Sequence, residues 1–226
     1  MTDPDPTPPR RFVALFDLDG TLTWRDTLLP FLLEFLRRHP SRWFGLWRLP
    51  FALWDFLAGG RDRGLLKSRL IRMIMEGAGR AAADACADSF VDTLQPRHRL
   101  RPTALAVLEE HRAAGDHLVL LSASPDLYVP RIGQALGFEL TLCTEIAWRG
   151  ERLLGSLKTP NRRGAEKSRC LAWLRGRYPG IPVIAYGNSA SDLDHMRQAD
   201  RALLVNGSAG ARAAAERLKI PTGTWT

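Results

Sequence analysis

Short apolar runs bounded by polar turns recur along the chain. Runs of about five such residues are typical of strands buried inside a sheet. They are residues 12–16, 117–121, 138–143, 182–186 and 202–205. Residues 146–148 and 153–154 flank Arg149 and Gly150, and this arrangement predicts a hairpin.

Apolar positions at helical spacing lie between several of these runs. The pattern predicts helices over residues 102–114, 165–175 and 191–198, the first of which stops at Gly115. Strands that alternate with helices indicate βαβ units and therefore a parallel sheet. The predicted fold class is α/β, with a Rossmann-like core.

The segment over residues 24–96 interrupts this alternation. Leu28, Phe31, Leu32 and Phe35 repeat at helical spacing, and residues 65–74 continue the pattern. We therefore predict an all-helical cap at 24–96, inserted after the first strand. The catalytic core would comprise residues 11–23 and 97–226. Residues 1–10 contain four prolines and are predicted to be a disordered lead-in.

Composition narrows the class of protein. Of the 226 residues, 45% are apolar and 25% are charged, which excludes a wholly disordered or fibrous chain. Three cysteines without a Cys-x-x-Cys pair argue against a disulfide framework or a zinc site. A reducing cytoplasm is the predicted compartment, with the inner face of a membrane as a second location.

The first candidate motif follows the first apolar run directly. It is Asp-Leu-Asp-Gly-Thr, residues 17–21. Two carboxylates at i and i+2 on a turn can face one small site, where one is a nucleophile and the other an acid or base. A bare Asp-x-Asp is more often a solvated turn.

Three further polar groups follow later in the chain. Ser122 and Ser124 come after the second run, Lys167 lies early in a predicted helix, and residues 187–192 read Gly-Asn-Ser-Ala-Ser-Asp. Hydroxyls and backbone N–H groups can hold phosphate oxygens, and oxygen-rich side chains suit Mg²⁺. Taken singly, the serines and the last motif read equally well as helix caps, and Lys167 as a solvated side chain.

In this order and over most of the chain, the four motifs resemble those of the haloacid dehalogenase (HAD) superfamily of phosphatases. The resemblance implies that Asp17 attacks phosphorus and becomes a phosphoaspartyl intermediate. It implies that Asp19 is the acid and base, and that Ser122 and Lys167 bind the phosphoryl group. The neighbouring Gly20, Thr21 and Ala123 are candidates for substrate binding.

The resemblance also implies a Mg²⁺ cofactor. Its ligands would be Asp17, the main-chain carbonyl of Asp19 and the last motif. That motif is usually Gly-Asp-x-x-x-Asp, and here the first aspartate is replaced by Asn188. An amide oxygen can ligate Mg²⁺ with one negative charge less. Whether Asn188 or Asp192 is the direct ligand is left open.

A helical cap between the first two motifs resembles the phosphoserine phosphatase branch, subfamily IB. Asp26 stands where those enzymes hold the substrate amine, although it would serve equally as a helix cap. Arg69 or Arg72 would meet a substrate carboxylate or lie on the surface. The pattern of residues 27–40 more closely resembles phosphatidylglycerophosphatases of type C, which implies a phosphorylated lipid head group such as phosphatidylglycerophosphate.

Two other functions stay open at this point. One is a soluble small-molecule phosphatase of the phosphoserine type. The other is a catalytically weak relative that binds a phosphorylated ligand or a membrane, and Asn188 is the feature in its favour. No nucleic-acid-binding motif is present, so no nucleic-acid partner is predicted.

Charge is concentrated in the predicted cap. Residues 37–72 hold nine basic and two acidic residues, whereas the whole chain has a net charge of +8. The aromatic residues of this window are Trp43, Phe44, Trp47, Phe51, Trp54 and Phe56. They would either face an anionic membrane or form the core of the cap while the arginines solvate it.

The remaining histidine and tryptophan residues are predicted to be structural. The five histidines show no ligand spacing, and most are predicted to lie at the surface. Trp148 and Trp173 are predicted to pack in the core domain.

Overall fold

The structure is a computed structural model that describes residues 12–58, 62–94 and 99–226. For residues 48, 52, 53, 55, 56 and 58 it describes the backbone alone. The predicted lead-in over residues 1–10 lies outside the described residues.

A six-stranded parallel sheet and a separate two-stranded antiparallel hairpin form the β structure. The strands are β1 (Val13–Phe16), β2 (His117–Pro125), β3 (Leu140–Thr144), β4 (Ile146–Arg149), β5 (Arg152–Leu157), β6 (Val183–Gly187), β7 (Arg201–Val205) and β8 (Thr222–Gly223). The sheet order is β3-β2-β1-β6-β7-β8, and β4 pairs with β5. The predicted fold class and the hairpin are confirmed. The two-residue edge strand β8 was not predicted, because it is too short to leave an apolar pattern.

The α-helices are α1 (Leu28–Arg38), α2 (Leu49–Ala58), α3 (Arg63–Met75), α4 (Arg80–Asp92), α5 (Pro102–Ala113), α6 (Val129–Ala135), α7 (Ala165–Arg177), α8 (Leu193–Gln198) and α9 (Ala209–Arg217). A 3-10 helix, Pro40–Arg48, leads into α2, and a second, Ala190–Asp192, leads into α8. The described part of residues 24–96 thus holds four α-helices and one 3-10 helix. The exact domain boundaries stay a prediction.

Alternate residues of the strands face two separate apolar layers, as the period of two along a strand requires. Val13 and Leu15 of β1 belong to one layer, together with Leu171 of α7. Ala14 and Phe16 belong to the other. That second layer continues into the cap, which is therefore packed onto one face of the sheet.

Aromatic contacts join the cap to this layer. Phe31 of α1 and Phe90 of α4 both contact the Tyr128 ring, with centroids 4.5 and 5.3 Å away. On the other side of the cap, α3 packs on strand β5. Gly155 in β5 has a φ of 75°, and a Cβ there would lie 2.6 Å from the Cα of Arg72. Only glycine permits this approach of hairpin to cap.

The cap aromatics are largely outside this core. Trp43, Phe44, Trp47, Phe51 and Trp54 are between 51% and 84% exposed. The interpretation that they form the core of the cap is therefore wrong for these five. The side chain of the sixth aromatic, Phe56, lies outside the described part of the structure. None of the described helices has the length and apolar character needed to cross a bilayer.

One single-residue prediction in the core needs correction. Trp173 on α7 is 51% exposed, so it does not pack in the core domain as predicted. His195 on α8 is buried, although most of the histidines were predicted to lie at the surface. Trp148 is partly buried, with the guanidinium of Arg80 stacked 4.2 Å from the centre of its ring.

Candidate active site

The candidate motifs meet at one edge of the sheet. Strand β1 lies between β2 and β6, and all three are parallel. Their carboxyl ends therefore lie side by side, at the position where open α/β sheets bind ligands. A cavity of about 620 Å³ opens at this edge. From the predicted set it is lined by Asp17, Asp19, Gly20, Ala123, Asp26, Lys167, Asn188 and Asp192.

Lys167 is the centre of the site. Its ammonium donates to Asp17 Oδ1 at 2.6 Å and to Asp192 Oδ1 at 2.7 Å. All three side chains are buried. Burial alone would lower the pKa of Lys167, but the two carboxylates outweigh it and the net shift is upward. Lys167 is therefore a permanent positive charge between two carboxylates.

Asp17 lies at the end of β1, inside the cavity. Its Oδ2 accepts a hydrogen bond from Thr21 Oγ1 at 3.1 Å. Burial raises the pKa of Asp17 to about 7, against the opposing attraction of Lys167. Any further positive charge in the cavity favours the carboxylate form that a nucleophile needs.

Asp19 lies in a different environment from Asp17. Its Oδ1 accepts from both the backbone N–H and the hydroxyl of Thr27, each at 2.7 Å. Its Oδ2 accepts from Ser124 Oγ at 2.6 Å. Burial raises the pKa of Asp19, and these hydrogen bonds only partly oppose the shift. A raised pKa favours the protonated form, which suits a group that must donate a proton.

The contact from Ser124 to Asp19 was not predicted. The pairing of β2 with β3 shifts register between Leu121 and Pro125, so simple alternation along the strand does not say which of residues 122–124 face the cavity. Ser122 itself is fully buried in β2 and accepts from the Ser124 backbone N–H at 3.0 Å. It is not among the residues that line the cavity, whereas Ala123 and Ser124 are.

The residues present fit a hard cation of the Mg²⁺ type. A Cβ on Gly20 would lie 2.9 Å from Cγ of Asn188, so this glycine lets the amide sit directly against the turn that carries Asp19. The described residues hold no cluster of three or more histidine, cysteine or acidic side chains arranged for a metal. The oxygen donors would be the Asp17 carboxylate, the main-chain carbonyl of Asp19 and the side-chain amide of Asn188. Mg²⁺ accepts such a set when water molecules complete its coordination shell.

Asp192 has less freedom than Asn188 to bind an ion. Its Oδ1 accepts from Lys167, and its Oδ2 accepts from the backbone N–H of Ser189 at 2.9 Å and from Ser189 Oγ at 2.7 Å. Burial alone would raise the pKa of Asp192, but Lys167 outweighs it and the pKa lies below its usual range. Both oxygens of Asp192 therefore already hold the site together.

Four more cationic side chains line the cavity: Arg25, Arg63, Lys67 and Arg163. Lys67 of α3 is buried and donates to the Ala123 carbonyl and, at 3.1 Å, to Asn161 Oδ1. Burial lowers its pKa to about 8. None of these four was predicted individually, although Arg63 and Lys67 belong to the basic stretch over residues 37–72. These four side chains add positive charge to the cavity beyond that of Lys167.

The predicted substrate-binding residues of the cap are only partly gathered here. Asp26 lines the cavity. Its Oδ1 also accepts from the Leu28 backbone N–H at 2.9 Å, so the same carboxylate stabilises the start of α1. Arg69 and Arg72 are not among the cavity-lining residues. The backbone of Arg72 is turned toward Gly155 of the hairpin instead.

Apolar side chains complete the cap side of the cavity. They are Trp24, Leu28, Leu29, Leu66 and Leu70. The cavity therefore has a charged floor at the sheet edge and a partly apolar wall from α1 and α3.

Comparison with known proteins identifies the family. A family model described as haloacid dehalogenase-like hydrolase matches residues 14–197. The protein CicA of Caulobacter vibrioides is 36% identical over 191 residues, which are 83% of this chain and 83% of that protein.

Solved structures show the same fold. A Bordetella pertussis protein of unknown function has a TM-score of 0.76 at 23% identity, covering 94% of this chain and 98% of that one. A probable phosphoserine phosphatase from Vibrio cholerae has a TM-score of 0.68 at 15% identity, covering 92% and 60%. At these identities the likeness is one of fold alone.

Proposed function

The chain belongs to the haloacid dehalogenase-like hydrolases, and from this premise we propose that it hydrolyses phosphomonoesters through a phosphoaspartyl intermediate on Asp17. One observation carries the proposal. The buried Lys167 ammonium bonds to Asp17, while Asp19 lies in the same cavity with a separate hydrogen-bond environment. Two carboxylates with different surroundings can take two different roles.

The reaction would proceed in two displacements. An oxygen of Asp17 attacks phosphorus, the bond from phosphorus to the ester oxygen breaks, and Asp19 gives its proton to that leaving oxygen. Asp19 then takes a proton from water as the water oxygen attacks the aspartyl phosphate. The products are inorganic phosphate and the free Asp17 carboxylate. Lys167 offsets the repulsion between Asp17 and the anionic phosphoryl group.

Asp17, the main-chain carbonyl of Asp19 and the amide oxygen of Asn188 would hold Mg²⁺. When bound, the ion supplies positive charge that favours ionised Asp17 and neutralises phosphoryl oxygens. Asp192 then acts mainly on Lys167 and Ser189, which it holds in place.

The proposed substrate is a phosphorylated lipid head group, such as phosphatidylglycerophosphate. Two features of the cavity support this choice. Four cations besides Lys167 suit a second anionic group next to the phosphomonoester, and the leucines of α1 and α3 suit the apolar part of a lipid. A soluble substrate of the phosphoserine type is the second candidate, because Asp26 faces the cavity and would meet an amine.

A phosphate-release screen tests the proposal. The full chain with Mg²⁺ would be given phosphatidylglycerophosphate and phosphatidic acid in mixed micelles, O-phosphoserine, and an aryl phosphate. We expect release that EDTA abolishes, with the highest kcat/KM on a lipid phosphate. Absence of release from every ester, or release unchanged by EDTA, would contradict the proposal. A clear preference for O-phosphoserine would favour the second candidate.

A pair of variants tests the second anionic subsite. Arg63→Gln removes a cation that lines the cavity, whereas Arg72→Gln removes an equal charge from the same helix away from it. We expect Arg63→Gln to raise KM severalfold for a substrate with two anionic groups and to leave the aryl phosphate unchanged. Equal effects of the two variants would mean that only overall charge matters.

A further inference from the structure

One face of the cap exposes a continuous apolar stripe. Phe44, Trp47, Phe51, Trp54 and Leu57 follow each other at intervals of three or four residues and are each at least 63% exposed. This interval places them along one side of the 3-10 helix and α2. We call these five residues the aromatic face. An exposed apolar stripe of this length is unusual on a soluble protein and marks an interaction surface.

The opposite side of the 3-10 helix packs on the rest of the protein. A Cβ on Gly45 would lie 2.5 Å from the Met73 carbonyl oxygen, so the 3-10 helix contacts α3 through glycine. Arg42 donates to the Glu76 carbonyl at 2.5 Å. Leu46 packs against the apolar layer that contains Phe16 and continues into the cap. The 3-10 helix is thus fixed through its inner side, and the side chains of the aromatic face are exposed to solvent.

Charge identifies the kind of partner. Residues 37–72 carry nine basic residues against two acidic ones. In a symmetric dimer this positive segment would meet its own copy, whereas at an anionic lipid surface its net positive charge is attracted, even though Arg63 and Lys67 face the cavity. Tryptophan and phenylalanine on one helix face, within a segment rich in basic residues, are the features of a helix that lies in a membrane interface.

We infer that the aromatic face docks the protein on the surface of an anionic lipid bilayer. Helix α3 connects this surface to the active site. It packs against both the 3-10 helix and α2, and it also supplies Arg63, Leu66, Lys67 and Leu70 to the cavity wall. Docking would therefore bring the apolar wall of the cavity close to the lipid. The inference concerns binding and does not rest on the proposed activity.

Vesicle co-sedimentation of the full chain tests this inference. We expect binding to vesicles of equimolar phosphatidylglycerol and phosphatidylcholine, weaker binding at high salt, and little binding to phosphatidylcholine alone. Trp47→Ser combined with Trp54→Ser should lower the partition coefficient by about tenfold or more. Trp173→Ser is the matched control, because Trp173 is also exposed but lies on the core helix α7. It should bind like the unmodified protein.

Asp17→Asn should also bind the vesicles normally, which separates a failure of docking from a failure of catalysis. Equal binding to anionic and neutral vesicles would overturn the inference. So would equal losses in the Trp47/Trp54 and Trp173 variants. A dimer in solution that the Trp47/Trp54 variant dissociates would assign the aromatic face to a second copy of the chain. Earlier melting of that variant would assign it to internal packing.

Discussion

Side chains at the sheet edge and on the aromatic face have opposite kinds of exposure to solvent. At the sheet edge, the charged groups Asp17, Lys167 and Asp192 are buried and bonded to one another. On the cap, large apolar side chains such as Trp47 and Trp54 are left in contact with solvent. Both arrangements cost free energy of folding in isolation, since one desolvates charge and the other hydrates apolar surface.

This difference in exposure suits the sheet edge to catalysis and the aromatic face to binding. Buried and paired charges are held in a rigid geometry, which phosphoryl transfer needs because it depends mainly on positioning and charge. An exposed apolar surface gains free energy only when something covers it. We therefore expect variants at the sheet edge to change chemistry and stability, and variants on the aromatic face to change only what the protein binds.

The largest effect is expected for Asp17→Asn. The change is nearly isosteric and Lys167 keeps its bond to Asp192, so the folded state should survive. Removing the attacking oxygen should lower the turnover of an aryl phosphate by about 10⁴-fold or more. Phosphate release and circular dichroism measure the two outcomes. Activity near that of the unmodified protein would show that Asp17 is not the nucleophile.

Lys167→Met should be the most destabilising change at the sheet edge. It leaves two buried carboxylates without their cation, which typically costs about 3–5 kcal/mol. The control is Lys158→Met, which removes an exposed lysine paired with Glu145 and should cost much less, because solvent screens an exposed ion pair. Urea unfolding of both variants gives the free energies. Equal losses would mean that the Lys167 pairs contribute no more than a surface ion pair.

A third prediction concerns pH and the buried His195. Burial, reinforced by Lys167, lowers its pKa to about 3, whereas an unfolded chain has a histidine pKa near 6.5. The unfolded state therefore binds more protons, so this contribution to stability is complete above pH 6.5 and is lost as the pH falls toward 3. Between pH 7 and pH 5 the loss should be about 2 kcal/mol.

His195→Met should remove that part of the pH dependence. Unfolding free energies at pH 7 and pH 5 would be compared in the two proteins. The unmodified chain should lose about 2 kcal/mol more than the variant over this interval. Identical pH slopes would show that His195 is protonated equally in the folded and unfolded states.

Asn188→Asp should produce a moderate effect on the metal. The added carboxylate should lower the Mg²⁺ concentration for half-maximal activity severalfold, because affinity rises with the charge of the ligands. Ala190→Asp places the same charge on an exposed residue of the same motif and serves as the control. If both variants shift the midpoint equally, the effect is one of general charge and residue 188 is not a ligand.

The smallest effect is expected when Trp47→Ser and Trp54→Ser are combined and a soluble substrate is used. Exposed side chains away from the cavity should change the unfolding free energy by about 0.5 kcal/mol or less and leave aryl phosphate turnover unchanged. Phe90→Ala, at a buried aromatic of the same cap, should cost about 3–5 kcal/mol. Thermal unfolding compares the two. Similar losses would mean that the aromatic face is part of the packed cap.

Much of the core architecture could be predicted because it is periodic. Buried parallel strands leave unbroken apolar runs, so all five longer strands of the sheet were found near their observed positions. Parallel strands also align their carboxyl ends, and this is why motifs far apart in the chain meet in one cavity, as Asp17 and Lys167 do across 150 residues. Helices α6 and α9 were missed because they are short or rich in alanine.

The details of the cavity were less predictable. The approach of Lys67 to the Ala123 carbonyl depends on how α3 packs on the hairpin strand β5. Arg69 and Arg72 belong to the same helix, yet they do not line the cavity. Local sequence cannot distinguish these three basic residues, since each stands at an ordinary position of a cationic helix.

Local periodicity was enough to predict the five longer strands of the sheet, and the motifs at the strand ends predicted the family and the meeting of Asp17, Asp19, Lys167 and Asn188. Which side of the 3-10 helix is buried depended instead on how it packs in the folded protein. An aromatic stripe at helical spacing has the same pattern whether it faces a core or solvent. The choice is made by the side that contacts α3, where Gly45 allows close approach and leaves the aromatic face outside.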